Sequence, residues 1–316
     1  MHAIAAICQI VHAQALRPGR RGEFFKKVRE RILWHRDPVV HWDFEGRRIA
    51  LNFSHLLPFY RQLYPGYSAN LTRLTAFLRK SRGVLRMIDV GANIGDSYCL
   101  ARPQERDSFL LIEGSPEYFA LLTRNTADDP AVTRVCTLLA ESASVSAGQM
   151  VARGGTGRMD HSGAAADTVA YRTLDDVVAE HREFAAANLL KTDVDGYDCR
   201  VLMGARQLLA TARPVLFFEH HPELLARAGD GDAYIFPELG RLGYHRFIFF
   251  DNKDADFSVV EVDDTRRLEE LLERARRTRH FYYDVCAFPE EDGAGHEAFV
   301  AQERSLRKSA DSPPKP

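Results

Sequence analysis

The residues of this chain whose types and spacing best suit chemistry are four residues of a glycine-rich turn and one later acid. Asp89, Gly91, Asn93 and Gly95 occupy alternate positions directly after an apolar run, and the next apolar run ends on Glu113. In nucleotide sites, such a turn lets the backbone approach a ligand, and an acid at the next strand end accepts hydrogen bonds from ribose hydroxyls. The spacing therefore predicts a nucleotide site at two neighbouring strand ends.

The turn differs from the dinucleotide type. That type spaces three glycines as G-x-G-x-x-G, so that a pyrophosphate sits at a helix N-terminus. Here Asn93 replaces the middle glycine, and asparagine tolerates a positive φ. Asp89 suits a cationic ligand group better than a pyrophosphate. S-adenosylmethionine has an ammonium, a sulfonium and a ribose but no phosphate, so we predict it as the ligand. A NAD-type cofactor and a turn without a ligand are the alternatives.

Polar side chains also follow two later apolar strands. Lys191, Asp193 and Asp195 stand at the end of one, and Glu219 and His220 end the next. Because ligands of an open α/β sheet bind outside the carboxyl ends of its strands, we expect these groups to converge beside the glycine-rich turn. The structural alternative is that the aspartates cap the following helix and that the lysine extends out of the strand end.

Strand and helix patterns alternate from residue 85 onward. Strands are predicted near residues 85–90, 109–113, 133–138, 187–192, 213–219, 245–250 and 280–288, and helices near 96–102, 116–126, 173–184, 199–210, 234–242 and 265–277. This alternation predicts a Rossmann-like α/β sheet of seven mostly parallel strands, with one antiparallel edge strand among the last segments. Residues 142–170 are rich in serine, alanine and glycine, which predicts a loop or flexible flap.

The two ends of the chain differ from this central part. The sequence predicts an N-terminal extension made of a helix and a hairpin over residues 1–65. It predicts the sheet domain over residues 66–292 and a largely disordered tail over residues 293–316. The first helix is rich in arginine and lysine. Such a segment is usually a solvated face, and the alternative is contact with an anionic lipid, glycan or nucleotide-linked substrate. The extension could also contact the acceptor or a second copy of the chain in a homodimer.

The composition is that of a globular chain without a dominant charge. Its 316 residues are 45% hydrophobic, and 42 basic against 44 acidic residues give a net charge of −2. The chain therefore has no overall positive charge that would attract nucleic acid. Five scattered cysteines without a C-x-x-C motif predict free thiols in a reducing compartment. The apolar first segment is too short to span a bilayer and a poor signal peptide. We therefore predict a cytoplasmic protein.

Four ordered sequence blocks resemble the FkbM family of methyltransferases, which use S-adenosylmethionine. The blocks are residues 88–95, 112–116 with 125, 172–176, and 191–198 with 201–205. The chain has Asp195 and Asp198 where the family more often carries glutamate, which shortens two carboxylate arms.

The resemblance implies a class I methyltransferase fold and methyl transfer to a hydroxyl of a sugar, glycan or natural-product scaffold. By position, the turn would hold the methionine part of the cofactor, Glu113 the ribose, and Pro116 and Ala140 the adenine, while Asp193 would face the acceptor. The candidate cofactor contacts are Asp89, Gly91, Asn93, Gly95, Glu113, Gly114, Ser115, Pro116, Ala140 and Glu141.

Methyl transfer to an alcohol requires alignment of the reactants and removal of a proton. Asp193, His220 or Lys191 could be the base, with Glu219 beside them. A second arrangement has Asp193 and Glu219, with His220, hold Mg²⁺ or Mn²⁺ that acidifies the hydroxyl. The alternative functions are an NAD-dependent oxidoreductase and a non-catalytic protein that binds S-adenosylmethionine. The missing third glycine argues against the first, and the polar strand ends argue against the second.

Overall fold

The computed structural model of the chain describes residues 2–160 and 168–310. Its helices are α1 (His2–Ala15), α2 (Arg20–Leu33), α3 (Leu57–Leu63), α4 (Ala69–Arg82), α5 (Asp96–Leu100), α6 (Pro116–Asn125), α7 (Leu174–Glu180), α8 (Asp198–Met203), α9 (Arg206–Thr211), α10 (Pro222–Ala228), α11 (Ile235–Arg241), α12 (Thr265–Arg277) and α13 (Gly293–Ala310). Its strands are β1 (Val39–Phe44), β2 (Arg47–Asn52), β3 (Arg86–Val90), β4 (Ser108–Glu113), β5 (Val132–Cys136), β6 (Leu138–Leu139), β7 (Ser144–Ala147), β8 (Gln149–Arg153), β9 (Thr156–Asp160), β10 (Thr168–Arg172), β11 (Leu189–Thr192), β12 (Val215–His220), β13 (Arg246–Asp251), β14 (Phe257–Glu261) and β15 (Tyr283–Ala287).

The largest sheet has the order β14-β13-β15-β12-β11-β3-β4-β5. The predicted class, a Rossmann-like and mostly parallel α/β sheet, is confirmed, and β14 is an antiparallel edge strand. The sheet has eight strands where seven were expected, because β13 and β14 form a hairpin without a helix between them. A second antiparallel strand, β15, lies inside the sheet between β12 and β13.

Apolar side chains cover both faces of this sheet. One core contains Ile88, Leu190 and Phe218 with residues of the helices from α7 to α12. The other contains Met87 and Phe217 with residues of α4, α5, α6, α13 and the β1–β2 hairpin. Parallel strands are usually buried on both faces, which explains their continuous apolar runs. The strand order reverses between β3 and β11, which is where open α/β sheets bind ligands.

The N-terminal extension contains three helices, α1, α2 and α3, and the β1–β2 hairpin. The expected single helix is interrupted between α1 and α2 at Pro18 and Gly19, where glycine takes a φ of 83°. The β1–β2 hairpin is confirmed, and it turns at Glu45 and Gly46, which both have positive φ. The side chain of Asn125 on α6 bonds the hairpin backbone at 2.7 and 2.8 Å. The bounds predicted for the extension and the sheet domain remain predictions.

Residues 142–170 are not simply a loop. They contain β7, the β8–β9 hairpin and the start of β10, while residues 161–167 lie outside the described part of the chain. β7 and β6 both pair with β10 in a small second sheet. Loop-forming residues fit this segment because its strands are short and their turns require glycine: Gly154 and Gly155 both have positive φ.

The expectation of a disordered tail over residues 293–316 is wrong for most of that segment. Residues 293–310 form α13, and Phe299 and Val300 are buried against the sheet domain. Glu303 on this helix is fully buried and pairs with Arg73 of α4 at 2.7 Å. Residues 311–316 lie outside the described part of the chain. In the parts that the structure describes, no helix is long and apolar enough to cross a membrane.

Candidate functional site

The glycine-rich turn packs against the end of the neighbouring strand β11. Gly91, Asn93 and Gly95 all have positive φ, at 77°, 49° and 90°. A Cβ on Gly91 would lie 2.0 Å from the backbone oxygen of Asp193, so no other residue fits there. The first glycine is therefore required by the contact between two strand ends, and Asn93 takes the left-handed conformation that its type tolerates.

Glu113 ties the second strand end to this turn. Its two carboxylate oxygens accept hydrogen bonds from the backbone N–H groups of Ser115 at 2.7 Å and Asn93 at 2.8 Å. The side chain is 8% exposed, and burial raises the pKa of its carboxyl while the two N–H donors oppose that rise. Each oxygen keeps a second lone pair, so Glu113 can also accept bonds from a ribose.

Asp89 and Lys191 form a buried ion pair beneath the turn. The ammonium nitrogen of Lys191 lies 3.0 Å from Oδ1 of Asp89 and 3.6 Å from Oδ2 of Asp193. Burial raises the pKa of Asp89 to about 6, although the charge of Lys191 opposes this. Burial alone would lower the pKa of Lys191, but Asp89, Asp193 and Asp96 outweigh burial and raise it. Lys191 is therefore a protonated ammonium, which is a correction to its predicted role as a base.

A cleft of about 580 Å³ runs from the glycine-rich turn to the end of β11. Four of the predicted cofactor contacts line it: Gly91, Asn93, Glu113 and Gly114. The other six, Asp89, Gly95, Ser115, Pro116, Ala140 and Glu141, are not among its lining residues. Three of these six have other positions in the fold. Asp89 is buried under the turn, Ser115 caps α6, and the backbone of Ala140 pairs with Arg172.

Apolar walls of this cleft come from residues that the sequence patterns do not single out. Val90 and Ile112 from the strand ends and Leu138 and Leu139 from β6 line the side next to Glu113. A Cβ on Gly114 would lie 2.2 Å from the side chain of Leu138, so the strand end and β6 are in direct contact. Leu138 and Leu139 directly precede the predicted adenine contact Ala140 in the chain.

The β8–β9 hairpin forms a roof over the cleft, and Met150, Thr156 and Gly157 of this hairpin line it. Its turn is held by hydrogen bonds from below. Asn93 Nδ2 donates to the carbonyl of Gly155 at 2.6 Å, and the N–H of Gly155 donates to the hydroxyl of Tyr118 at 2.9 Å.

The N-terminal extension supports the same roof. Nε2 of His55 lies 3.3 Å from Oδ1 of Asn93, while its Nδ1 accepts from the N–H of Leu57 at 3.2 Å. This pattern fits a neutral ring protonated on Nε2, and burial lowers the pKa of His55 to about 4. The N–H of Leu56 also donates to the carbonyl of Gly154 at 3.1 Å. Residues of the extension therefore hold the roof in place through Asn93 and Gly154.

Asp195 and Asp198 have separate structural roles. Oδ2 of Asp195 accepts from the N–H of Gly157 in the roof at 3.3 Å, and burial with the charge of Asp193 raises its pKa to about 7. Asp198 accepts from the N–H groups of Val194 and Gly196. The helix-cap alternative for Asp193 and Asp195 is not observed, because the N-cap of α8 is Tyr197 and has no side-chain cap hydrogen bond. Asp198 instead holds the loop before α8, and Asp195 connects this loop to the roof.

Three carboxylates interact near the end of β11: Asp193 lines the cleft, whereas Glu219 and Asp284 are not among its lining residues. Asp193 lines the cleft with a side chain that is 52% exposed. Glu219 stands opposite Asp284 in the β12–β15 register, and its Oε2 is buried without a hydrogen-bond partner. Burial and then the charge of Asp193 raise the pKa of Glu219 well above its usual value, and burial raises that of Asp284 to about 7. Asn70 Nδ2 donates to Asp284 at 2.8 Å. The sequence reasoning missed Asp284, although an acid within an apolar strand was a usable signal.

His220 does not join this group. Its side chain is fully buried, Nε2 lies 2.6 Å from the carbonyl oxygen of Asp232, and its ring packs on Phe236. Successive residues of a strand face opposite sides of the sheet, so His220 and Glu219 diverge. The predicted metal site of Asp193, Glu219 and His220 is therefore not formed. Within residues 2–160 and 168–310, no group of three or more histidine, cysteine, aspartate or glutamate residues is arranged to hold a metal ion.

Comparison with known proteins gives one family match. The model of the family "Methyltransferase FkbM domain" matches residues 89–246, which is half of the chain. None of the curated proteins compared with the chain matches it.

Solved structures of methyltransferases show a distant similarity. A methyltransferase FkbM from Methylobacillus flagellatus is 20% identical over 43% of this chain, with a TM-score of 0.32, and the match spans 33% of that protein. A putative O-methyltransferase from Klebsiella pneumoniae is 13% identical over 70% of this chain and 80% of its own length, with a TM-score of 0.37. A precorrin-6y C5,15-methyltransferase from Geobacter metallireducens is 10% identical over 65% of this chain and 80% of its own length, with a TM-score of 0.35.

Proposed function

Because this chain belongs to the FkbM family of methyltransferases, we propose that it transfers a methyl group from S-adenosylmethionine to a hydroxyl of a sugar, glycan or natural-product scaffold. The observation that carries the proposal is the shape of the single cleft lined by both Glu113 and Asp193. Glu113 stands beside apolar residues of the lining, and Asp193 lines the cleft at the end of β11. Such a cleft can hold a nucleoside at one end and a polar acceptor at the other.

The residues on the cofactor side fit adenosine. Glu113 faces the cleft with spare lone pairs for two ribose hydroxyls, and Leu138 and Leu139 offer apolar surface for a base. The backbone between Gly91 and Asn93 would lie beside the methionine part. When bound, S-adenosylmethionine supplies a methyl group that is already activated on a positive sulfur. The ion pair beneath the turn already neutralises Asp89, so Asp89 would fix the turn without meeting the ligand ammonium directly.

The residues on the acceptor side would orient the hydroxyl and take its proton. We propose Asp193 as the base, because it lines the cleft and stands at the strand end next to the turn. The ammonium of Lys191 holds its carboxylate from one side. Glu219 is the second candidate, because its raised pKa makes its ionised form a stronger base. Lys191 is already protonated and His220 faces the other side of the sheet, so neither is proposed as the base.

The acceptor class follows from the same carboxylates. Asp193, Glu219 and Asp284 are hydrogen-bond acceptors when ionised, and hydroxyl groups are their natural donors. An acceptor with several hydroxyls, such as a sugar, would satisfy the buried oxygen of Glu219 that has no protein partner. This chemistry supports a polyhydroxylated acceptor over an apolar one.

Calorimetry with S-adenosylhomocysteine and with NAD⁺ tests the cofactor part of this proposal. We expect saturable binding of S-adenosylhomocysteine and none of NAD⁺. The formation of S-adenosylhomocysteine from S-adenosylmethionine with a panel of sugars and polyols then tests the reaction. Binding of NAD⁺ alone would contradict the proposal, and tight cofactor binding without turnover on any hydroxylated acceptor would contradict its O-methylation part.

A further inference from the structure

A second recess lies outside the cofactor cleft, between the β1–β2 hairpin and the end of α6. It has a volume of about 370 Å³ and is lined by His41, Arg48, Ala50, Arg124 and Asn125. This volume is within the range of small-ligand pockets, about 300–1,000 Å³. Its polar lining supplies two guanidinium groups and one imidazole but no carboxylate.

The two arginines of this recess lack acidic partners. Within the described residues, neither Arg48 nor Arg124 takes part in an ion pair, whereas the adjacent Arg47 pairs with Asp128 at 2.8 Å. Nη2 of Arg124 lies 3.0 Å from Nε2 of His41 and can only donate, so His41 accepts there and carries its proton on Nδ1. Burial, followed by Arg124 and Arg48, lowers the pKa of His41. The lining of the recess is therefore positive. Asp43 stands opposite Arg48 in the β1–β2 register, but it is not among the lining residues and, within the described part of the chain, forms no ion pair with Arg48.

Paired hydrogen bonds from two side-chain amides hold the walls of the recess in place. Gln9 of α1 exchanges two hydrogen bonds with the backbone of His41, at 2.6 and 2.7 Å. Asn125 does the same with the backbone of Ala50 and also donates to the carbonyl of Ile94 at 2.9 Å. Both walls are thus held by protein contacts, so a ligand would meet a preorganised site.

We propose that His41, Arg48 and Arg124 form a binding site for a phosphate or diphosphate group. A guanidinium group donates two parallel hydrogen bonds to phosphate oxygens, and two of them beside an imidazole match the oxygens of a phosphate ester. A positive lining without carboxylates favours an anionic partner. The phosphate can belong to the acceptor, such as a nucleotide-linked sugar, or to a separate phosphorylated molecule.

The test adds inorganic phosphate or pyrophosphate to the protein. Calorimetry measures binding, and NMR measures the titration of His41. We expect saturable binding of pyrophosphate and a rise in the pKa of His41, because a bound anion stabilises the imidazolium. Arg48→Gln and Arg124→Gln should each weaken binding roughly 10- to 100-fold, since each removes a charge-assisted contact. Arg106→Gln, which removes an exposed arginine elsewhere, should leave it unchanged. Thermal melting of each variant verifies that it is folded.

Two results would overturn the site. One is the absence of a saturable response to either probe. The other is an equal response to chloride at matched ionic strength, which would mean screening of surface charge only. Competition of pyrophosphate with the acceptor in turnover would assign the phosphate to the acceptor, and binding without competition would assign it to a separate molecule. The binding test needs no turnover, so its failure would leave the proposed methyl transfer untouched.

Discussion

The two ends of the cleft differ in how completely the protein satisfies its own polar groups. On the cofactor side, both oxygens of Glu113 and both polar atoms of the Asn93 side chain have protein partners. On the acceptor side, Oε2 of Glu219 is buried without a partner, and Asp193 is half exposed. Buried polar groups without partners are costly, so they usually mark a place where a ligand completes the network. Under the proposed function, Glu113 and Asn93 of the cofactor side are held by protein contacts, whereas the acceptor side has the exposed Asp193 and, near it, the unpartnered oxygen of Glu219.

The largest expected effect separates chemistry from cofactor binding. Asp193→Asn keeps the size of the side chain but removes its charge and basicity, so we expect the rate to fall roughly 10²–10⁴-fold. The affinity for S-adenosylhomocysteine should change little. The measurement is the steady-state rate of S-adenosylhomocysteine formation with an acceptor that the wild type methylates, beside a dissociation constant. A near-normal rate would remove Asp193 as the base, and Glu219→Gln would then be the next variant to measure.

The next effect concerns the cofactor side. Glu113→Ala removes a carboxylate that we expect to accept bonds from both ribose hydroxyls, so binding of S-adenosylhomocysteine should weaken by roughly 1.5–3 kcal/mol. Glu105→Ala, an exposed acid in the loop before β4, is the matched control. Unchanged affinity in a folded Glu113→Ala protein would show that the ribose lies elsewhere.

The third effect tests the burial of Asp284, which stands opposite Glu219. A folded-state pKa of about 7 for Asp284 means that the folded protein holds this proton more tightly than the unfolded chain does. Its ionisation therefore destabilises the fold, so stability is highest below about pH 4 for this group and falls as pH rises towards 7. Asp284→Asn should abolish this part of the loss, of order 2–3 kcal/mol between pH 5 and pH 8.

Urea unfolding at the two pH values measures that difference. The amide introduced by Asp284→Asn would still accept the hydrogen bond from Asn70, so the comparison isolates the charge. Asp263→Asn removes an exposed aspartate and serves as the control. Equal pH dependence in the wild type and Asp284→Asn would show that the fold does not raise the pKa of Asp284.

The smallest effect concerns the roof. His55→Ala removes the contact that orients Asn93 beneath Gly155, and we expect S-adenosylhomocysteine to bind a few-fold more weakly, about 0.5–1.5 kcal/mol. His35→Ala, an exposed histidine of the same extension, is the control. His55→Gln can still donate to Asn93 and should recover part of the affinity. If His55→Ala, His55→Gln and His35→Ala all bind S-adenosylhomocysteine equally well, His55 of the N-terminal extension does not support the cofactor side.

The local features of the molecule could be predicted from the sequence. The glycine-rich turn, Glu113 and most strands follow from apolar runs and residue types whose backbone preferences are strong. The divergence of Glu219 and His220 was also predictable, because neighbouring residues of a strand face opposite sides. Asp284 could be noticed as an acid within an apolar strand. Its position opposite Glu219 could not be predicted, because it depends on β15 inserting between β12 and β13. The roof was missed because its strands are short and carry few apolar residues.

The most direct test of this account is to measure the dissociation constant of S-adenosylhomocysteine for Glu113→Ala and Asp193→Asn side by side, by calorimetry. It requires no acceptor and compares the two ends of one cleft. We predict that Glu113→Ala weakens binding roughly 10- to 100-fold and that Asp193→Asn stays within about twofold of the wild type. Equal losses in both variants, or a larger loss in Asp193→Asn, would contradict the division between a cofactor side and an acceptor side.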